Sequence, residues 1–239
     1  MRSNFFRGMT HGIPIALGYL SVSFGFGIMA VQSGLSPLSA VLISVTNLTS
    51  AGQAAGVSVI AAGGGLAEMS ATQLVINIRY ALMAISLSQK TDRSFSLWKR
   101  LIAAYGITDE IFAVASAQHG KLKASYMYGL ILSAFLGWTL GTALGASAGQ
   151  LLPADITNAM GIVLYGMFIA IVIPSARKSR SILLVAVIAA AVSLLFKYLI
   201  TAVSGGFAVI ISAAAAAAVG ALFFPVNNDC QDQKEGTAE

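Results

Sequence analysis

Between Lys197 and Asp229 the chain carries no charged residue, and the run FAVIISAAAAAAVGALFF, Phe207 to Phe224, has Ser212 as its one polar side chain. Such a stretch approaches the ~20 apolar residues that cross a bilayer as a helix. Residues 180–200 form a second run of the same kind. Neither run alternates apolar with polar side chains as a barrel strand does. In lipid a helix satisfies every backbone N–H and C=O within its own segment. The composition agrees: 57% of residues are hydrophobic and 10% charged, with a mean hydropathy of +0.82. A soluble chain carries about 25% charged residues. The sequence therefore predicts an all-α polytopic membrane protein, with residues 1–225 as one transmembrane helical domain and 226–239 as a polar cytoplasmic tail.

Eight apolar stretches can be marked: 12–32, 37–62, 66–89, 97–117, 125–148, 155–174, 180–200 and 206–224. No small-x-small cleavage site follows the opening MRSNFFRGMTHG, so it reads as part of an uncleaved first helix. Eight plain crossings conflict with the charges. Lys and Arg cluster at Arg2/Arg7, Lys90/Arg93, Lys99/Arg100, Lys121/Lys123 and Arg177/Lys178/Arg180. Basic residues concentrate in cytoplasmic connections, yet eight crossings would put 90–96 outside. The conflict disappears if 37–62 and 97–117 each return to the side they came from. Six spanning helices plus two re-entrant or broken segments then place both termini and every basic cluster in the cytoplasm.

The two exceptional segments also carry unusual residues. SVTNLTSAGQAAGVSVI, Ser44 to Ile60, sets Asn47, Thr49, Ser50 and Gln53 among glycines 52 and 56. The second, AYGITDEIFAV, has Gly106, Asp109 and Glu110 at mid-length. A chain that turns back within the bilayer frees backbone groups at the turn, tolerated only beside protein or a water-filled cavity. Asn47, Thr49 and Gln53 are expected to satisfy those groups. Paired interruptions of this kind point to binding sites in transporters.

Three stretches, GYLSVSFGFGIMAVQSGLSP (18–37), TNLTSAGQAAG (46–56) and LVINIRYALMAISLSQK (74–90), resemble the AzlC family of bacterial permeases. GITDEIFAVA (106–115) and GWTLGTALG (137–145) extend the likeness, which runs from about residue 5 to about 175. The resemblance implies the large subunit of an exporter of branched-chain or other small neutral amino acids in the cytoplasmic membrane. It also implies a partner, the AzlD-type small membrane subunit. The family's bulky aromatic is replaced here by Ala54, which bears on the size of the substrate.

A zwitterionic aliphatic substrate needs a partner for its carboxylate, one for its ammonium and an apolar slot. Helix N-termini offer free N–H groups and partial positive charge, and unwound carbonyls or a carboxylate can hold an ammonium. Asn47, Thr49, Ser50, Gly52 and Gln53 at the first interruption are the candidate substrate-binding residues, or else form a packing loop. Asn77 joins them as a candidate, or bonds a neighbouring helix; it points about 160° away from Arg79 on a regular helix.

Arg79 lies about 16 Å by helix rise from Lys90, too deep to reach the interface easily. An intramembrane arginine costs roughly 2.5–3.5 kcal/mol and normally finds a partner. Asp109 and Glu110 are the acids at matching depth, so an Arg79–acid pair is expected, either structural or coupled to substrate or protons. Glu68 is expected at an interfacial end, and Lys197 to snorkel.

Gly137, Gly141, Gly145 and Gly149 recur every fourth residue and make a small-xxx-small packing face. The alanine run 213–218 offers another. An echo between 17–37 and 136–153, Leu-Gly-aromatic followed by glycines, suggests an internal duplication. His11 and His119 fall at the cytoplasmic boundary without metal-ligand spacing. Cys230 is the single cysteine, so no internal disulfide forms. No HExxH, P-loop or nucleophile elbow is present, no cofactor or metal is expected, and no basic face suits nucleic acid. A gated channel for a small polar solute is the alternative to a secondary transporter.

Overall fold

The computed structural model describes residues 2–151, 153, 166, 169, 172–174, 176, 177, 179–200 and 203–224. Among these, nine helices follow one another: α1 (Arg2–Gln32), α2 (Pro37–Thr46), α3 (Ser50–Ala61), α4 (Leu66–Lys90), α5 (Leu97–Tyr105), α6 (Asp109–Ser116), α7 (Ala124–Leu151), α8 (Arg180–Tyr198) and α9 (Gly205–Phe223). The described residues form no strand, and their one extended pairing is an isolated bridge between Thr91 and Leu122. The chain is an all-α polytopic membrane protein. It divides into two compact units, Met1–Phe168 and Ile169–Glu239, which are described separately.

Four of the described helices are long and apolar enough to cross a membrane: Ser3–Gln32, Ala124–Gly149, Arg180–Tyr198 and Gly205–Phe223. Six such helices were expected. Helix α4 has 25 residues, about 37 Å of rise, but its Gln73, Asn77 and Arg79 dilute its apolarity. The stretch 155–174 falls largely outside the described residues, as do Cys230 and the tail 226–239. Helix α1 also begins well before the apolar run 12–32. Its first turns carry polar groups that a search for apolar character passes over.

The first unit is organised by α1 and α7, which lie side by side and run parallel. The contacts that a Cβ would make at each glycine fix the register. At Gly129 it would meet the Phe5 backbone, at Gly137 that of Ala16, at Gly141 that of Leu20 and at Gly145 that of Phe24. Glycines of α1 do the same in turn, since a Cβ at Gly8 would stand 2.1 Å from the Tyr126 carbonyl oxygen. Gly149 is looser, with Ile28 Cα at 3.4 Å. Close backbone approach of this kind replaces the hydrophobic driving force that helices lack in lipid. Trp138, Phe26, Ile28 and Leu130 fill the seam and are fully buried.

The remaining elements of this unit are two interrupted pairs. The end of α4 and the α6–α7 connection are pinned together by Leu122 N–H to the Lys90 carbonyl (2.8 Å) and Asp92 N–H to the Leu122 carbonyl (2.9 Å). Ala124 N–H adds a bond to Ser94 Oγ at 3.0 Å. The pair α5–α6 therefore leaves and rejoins the unit at one end, the basic end that also holds Arg7 on Gln118. Helix α1, 31 residues long, starts at that end, and the 25-residue α4 finishes there. The connections 33–36 and 62–65 accordingly lie at the other end, and α2–α3 starts and finishes there.

Each interruption has a local cause. Helix α2 starts on Ser36, which accepts from Ser39 N–H, and on Pro37 in the first turn. It stops at Asn47, whose extended backbone (φ −142°, ψ 101°) leaves the helical region. In the other pair Gly106 follows α5, where a Cβ would fall 2.3 Å from Ile131 Cγ2. Thr108 then caps α6 by accepting from Ile111 N–H at 3.3 Å. Asp109 and Glu110 in the first turn of α6 suit the positive end of its dipole.

Glu68, expected at an interfacial end, is buried. It sits in the first turn of α4, and its carboxylate folds against the tight turn, where a Cβ at Gly64 would meet Oε2 at 2.8 Å. The helix N-terminus favours the charge there. In the second unit α8 and α9 pack together, with Val185 against Gly220. From the alanine run, Ala216 is buried, as is Ser212 one turn before it. Lys197 lies over the Tyr198 ring, 5.7 Å from its centroid.

Candidate functional site

The two interruptions meet. The Tyr105 hydroxyl, at the end of α5, donates to the Val45 carbonyl at the end of α2. Around this junction lies a cavity lined by Tyr19, Ser50, Tyr80, Asp109, Glu110 and Trp138, with Leu48 and Thr108 completing it. Its free space is about 10 Å³, room for one water and no amino acid. The site is closed.

Arg79, near the middle of α4, pairs with Asp109 at 2.8 Å. Its guanidinium also donates to the Tyr80 hydroxyl at 3.3 Å and lies over that ring, 5.0 Å from the centroid. Glu110 takes a different partner: the Tyr19 hydroxyl donates to its carboxylate. Thr108 Oγ1 lies 2.6 Å from the same hydroxyl. Trp138 packs edge-on to Tyr19 with centroids 5.1 Å apart. One acid of the site thus has a cation against it, and the other has a hydroxyl partner.

A second cavity of about 180 Å³ flanks the first interruption and is mainly apolar, with Ile43, Val57, Ile60 and Met69 beside Asn47, Gly52, Gln53 and Gln73. Gln53, 1% exposed, donates to Ser44 Oγ at 2.9 Å. Ser44 Oγ lies 2.7 Å from Thr142 Oγ1, and Thr142 donates to the Trp138 carbonyl at 3.1 Å. This relay ties α3, α2 and α7 together. It leaves Gln53 Oε1, and at the first cavity Trp138 Nε1, without a hydrogen-bond partner among the described residues. Buried polar atoms are rarely left so.

The expected substrate residues divide between these places. Ser50 reaches the first cavity with Asp109 and Glu110, and Arg79 is attached to it through Asp109. Asn47, Gly52 and Gln53 line the second cavity. Thr49 and Asn77 line neither: Thr49 donates to Asn47 Oδ1 at 2.7 Å, and Asn77 donates to Gln73 Oε1 at 2.9 Å. Gly137, Gly141, Gly145 and Gly149 lie on the α1 side of α7, as described above.

One expectation is corrected. Asn47, Thr49 and Gln53 do not satisfy the backbone freed at the turn, because their side chains bond one another and Ser44. A residue from another helix does that work: Tyr105 serves the Val45 carbonyl in the last turn of α2, while Gln73 Nε2 donates to the Gly52 carbonyl inside the first turn of α3 at 2.7 Å. Side chains within a short extended turn reach their neighbours more easily than their own carbonyls, so the capping comes from outside. Tyr19, Tyr80, Thr108 and Trp138 were likewise absent from the sequence-derived site. Tyr19 and Trp138 had a signal, since each is the aromatic of the Leu-Gly-aromatic echo.

Gln73 holds two groups at once, the Gly52 carbonyl and the Asn77 amide. Gln73→Leu should lower stability by about 1–3 kcal/mol, the cost of leaving such groups unpaired. Ser58→Ala, which removes a bond to a carbonyl of its own helix, should cost little. Thermal unfolding of the two purified variants checks the contrast.

The AzlC protein family model matches residues 14–152. The inner membrane protein YgaZ of Escherichia coli (strain K12) is 29% identical over 199 residues, covering 80% of this chain and 81% of its own. An uncharacterized membrane protein of Archaeoglobus fulgidus is 31% identical over 175 residues, covering 72% and 75%. The branched-chain amino acid transport protein AzlC of Bacillus subtilis (strain 168) is 26% identical over 181 residues, covering 74% and 69%. No solved structure matches the chain.

Proposed function

The chain belongs to the AzlC family, and from that premise we propose that it is a secondary transporter subunit that exports branched-chain or other small neutral amino acids. A role in membrane transport follows from the family and from its membrane-protein relatives. The observation that carries the finer reading is the junction of two helix interruptions over one cavity. On this reading α2–α3 and α5–α6 re-enter the bilayer from opposite faces and bind substrate where their tips touch.

The roles follow from the chemistry. Helix α3 begins at Ser50 without a side-chain cap, so its first N–H groups can receive a carboxylate. The Trp138 indole N–H is a further donor beside it. Glu110, whose partner is a hydroxyl, is the group to receive the ammonium or a coupling proton, since Arg79 already neutralises Asp109. The apolar cavity beside Asn47 and Gln53 suits an aliphatic side chain. With about 10 Å³ between the tips, no amino acid fits there, and on this reading transport requires the tips to part.

The second subunit is supported by what α4 leaves bare. Leu74, Ile78, Leu82 and Ile85 are more than half exposed, and the Arg79–Asp109 side chains are 44% and 42% exposed. An ion pair left open to hydrocarbon is costly. A small AzlD-type membrane subunit seated along α4 would cover it.

The test is counterflow of labelled leucine, valine and methionine in vesicles holding the chain with and without its small subunit. Saturable counterflow that needs both subunits is expected. Unsaturable flux would identify a channel, and no amino-acid flux would reject the reading. Glu110→Gln should abolish any response of export to an imposed proton gradient; an unchanged response would remove Glu110 from coupling.

A further inference from the structure

At the basic end of the first unit a cleft of about 240 Å³ opens between the start of α1, the α6–α7 connection and the start of α7. Arg7, His119, Lys121 and Lys123 line it together with Asn4 and Gln118, and no acidic residue does. We propose that this cleft binds the phosphate of an anionic glycerophospholipid headgroup.

The cations are gathered by the fold and not only by the general excess of basic residues at one membrane face. The connection that carries three of them is pinned by the backbone bonds of Leu122 to Lys90 and Asp92. Gly120, at φ +76°, takes the left-handed conformation that lets the chain reverse between His119 and Lys121. Arg7 is held toward the cleft by its bond to Gln118 Oε1 at 3.1 Å. His11 Nδ1 and the Tyr126 hydroxyl, 2.9 Å apart, lie beside it. A site assembled before its ligand arrives loses less freedom on binding.

Two other cations of this end, Lys90 and Lys99, are already engaged. Lys90 donates to the Ser116 carbonyl and Lys99 to the Ser94 carbonyl. His119 has no hydrogen-bond or ion-pair partner in the described residues, and Lys121 has a single 3.4 Å bond to the Gln89 carbonyl. Lys123 also faces Asp92, an acid outside the cleft held below the usual carboxylate range chiefly by the Ser94 hydroxyl. Four convergent donors without a carboxylate suit a phosphate.

Position selects a lipid over a soluble phosphate. The cleft stands at the end of two membrane-crossing helices, and α1 continues from it into exposed apolar surface at Ile13 and Leu17, where acyl chains can lie. Basic pockets between helices at this level hold anionic headgroups.

The full chain, purified in a neutral detergent, is titrated with phosphatidylglycerol, phosphatidylcholine or inorganic phosphate. Bound lipid is counted by native mass spectrometry. Phosphatidylglycerol is expected to bind, phosphatidylcholine and inorganic phosphate to fail. The variant Arg7→Gln/Lys121→Gln/Lys123→Gln should bind phosphatidylglycerol about a hundredfold more weakly, each basic group near an anionic surface contributing about fivefold. A charge-matched variant, Arg93→Gln/Arg100→Gln/Arg177→Gln, should bind as the unmodified chain does. Equal loss in both variants would overturn the proposal in favour of diffuse charge. Competition by inorganic phosphate at similar concentration would overturn it in favour of a soluble ligand. If the triple variant does not accumulate, Lys121→Gln alone should weaken binding about fivefold; unchanged binding would reject the site.

Discussion

Replacing Arg79 with glutamine, or Asp109 with asparagine, should each reduce export by roughly a hundredfold, whereas the double replacement should restore the protein but not its transport. Asp109→Asn leaves the Arg79 charge at mid-helix, and Arg79→Gln leaves the Asp109 charge at the start of α6, each without the partner that stands 2.8 Å away. An uncompensated charge at the centre of a membrane helix costs about 2.5–3.5 kcal/mol, which at about 1.4 kcal/mol per decade is close to two orders of magnitude. Part of that loss is insertion and assembly, so inserted protein is measured alongside flux. Arg79→Gln/Asp109→Asn removes both charges and keeps two side chains that can still bond each other. Its inserted level should return to that of the unmodified chain. If the pair serves transport, export from the inserted double variant stays below about a tenth of normal, one decade or about 1.4 kcal/mol. Export that recovers together with the protein would make the pair structural.

Both outcomes bear on Glu110. The two neighbouring acids differ in their surroundings: Asp109 faces a guanidinium, and Glu110 faces Tyr19. Losing the Arg79 charge leaves two carboxyls side by side in the first turn of α6 with no guanidinium against them. The Arg79→Gln variant therefore changes the surroundings of Glu110 as well. The double variant avoids this, because the asparagine that replaces Asp109 carries no charge.

Much of the frame was legible because its signals are long. Runs such as 206–224 leave a helix in lipid as their one physical solution, and the distribution of Lys and Arg marked 37–62 and 97–117 as exceptional. In the structure both are interrupted, at 47–49 and 106–108. The Arg79 partner could be narrowed to two acids by the cost of an unpaired guanidinium, but not to one. Asp109 and Glu110 are adjacent, and the choice is made by Tyr19, which is remote in sequence and holds Glu110.

What sequence could not supply was the set of contacts between elements. The freed carbonyl of Val45 is served by Tyr105, and the Gly52 carbonyl within α3 also receives Gln73, residues that look ordinary in their own helices. The echo of Leu17-Gly18-Tyr19 in Leu136-Gly137-Trp138 was visible as a pattern. Its consequence, two aromatics meeting edge to face across parallel helices, needed the register of α1 on α7. Short polar turns misled for a simple reason: Asn47 and Thr49 look like backbone caps, yet at a spacing of two residues they reach each other first.

That register underlies the second large effect. Gly145→Val should prevent α1 and α7 from seating, with most of the protein lost from the membrane or unfolding at much lower temperature. A Cβ at this position would lie 2.0 Å from the Phe24 carbonyl oxygen, with Phe24 C at 2.7 Å and Cα at 2.8 Å. These are backbone atoms of a regular helix and cannot rotate aside. The helices must separate along the seam that holds Trp138 and Tyr19 over the candidate site. Overpacking a tight core typically costs about 1–3 kcal/mol, and because valine adds two further methyl groups beyond that Cβ, about 3 kcal/mol or more is expected here. Gly149→Ala supplies the contrast, since its Cβ would meet Ile28 Cα at 3.4 Å, an ordinary contact, and should be tolerated. Gly18→Ala, with nothing within 4 Å, should be tolerated too. Thermal unfolding and inserted level of the three variants measure the gradient directly. If Gly145→Val were as stable as Gly149→Ala, the parallel seam between α1 and α7 would not be the contact that holds the site together.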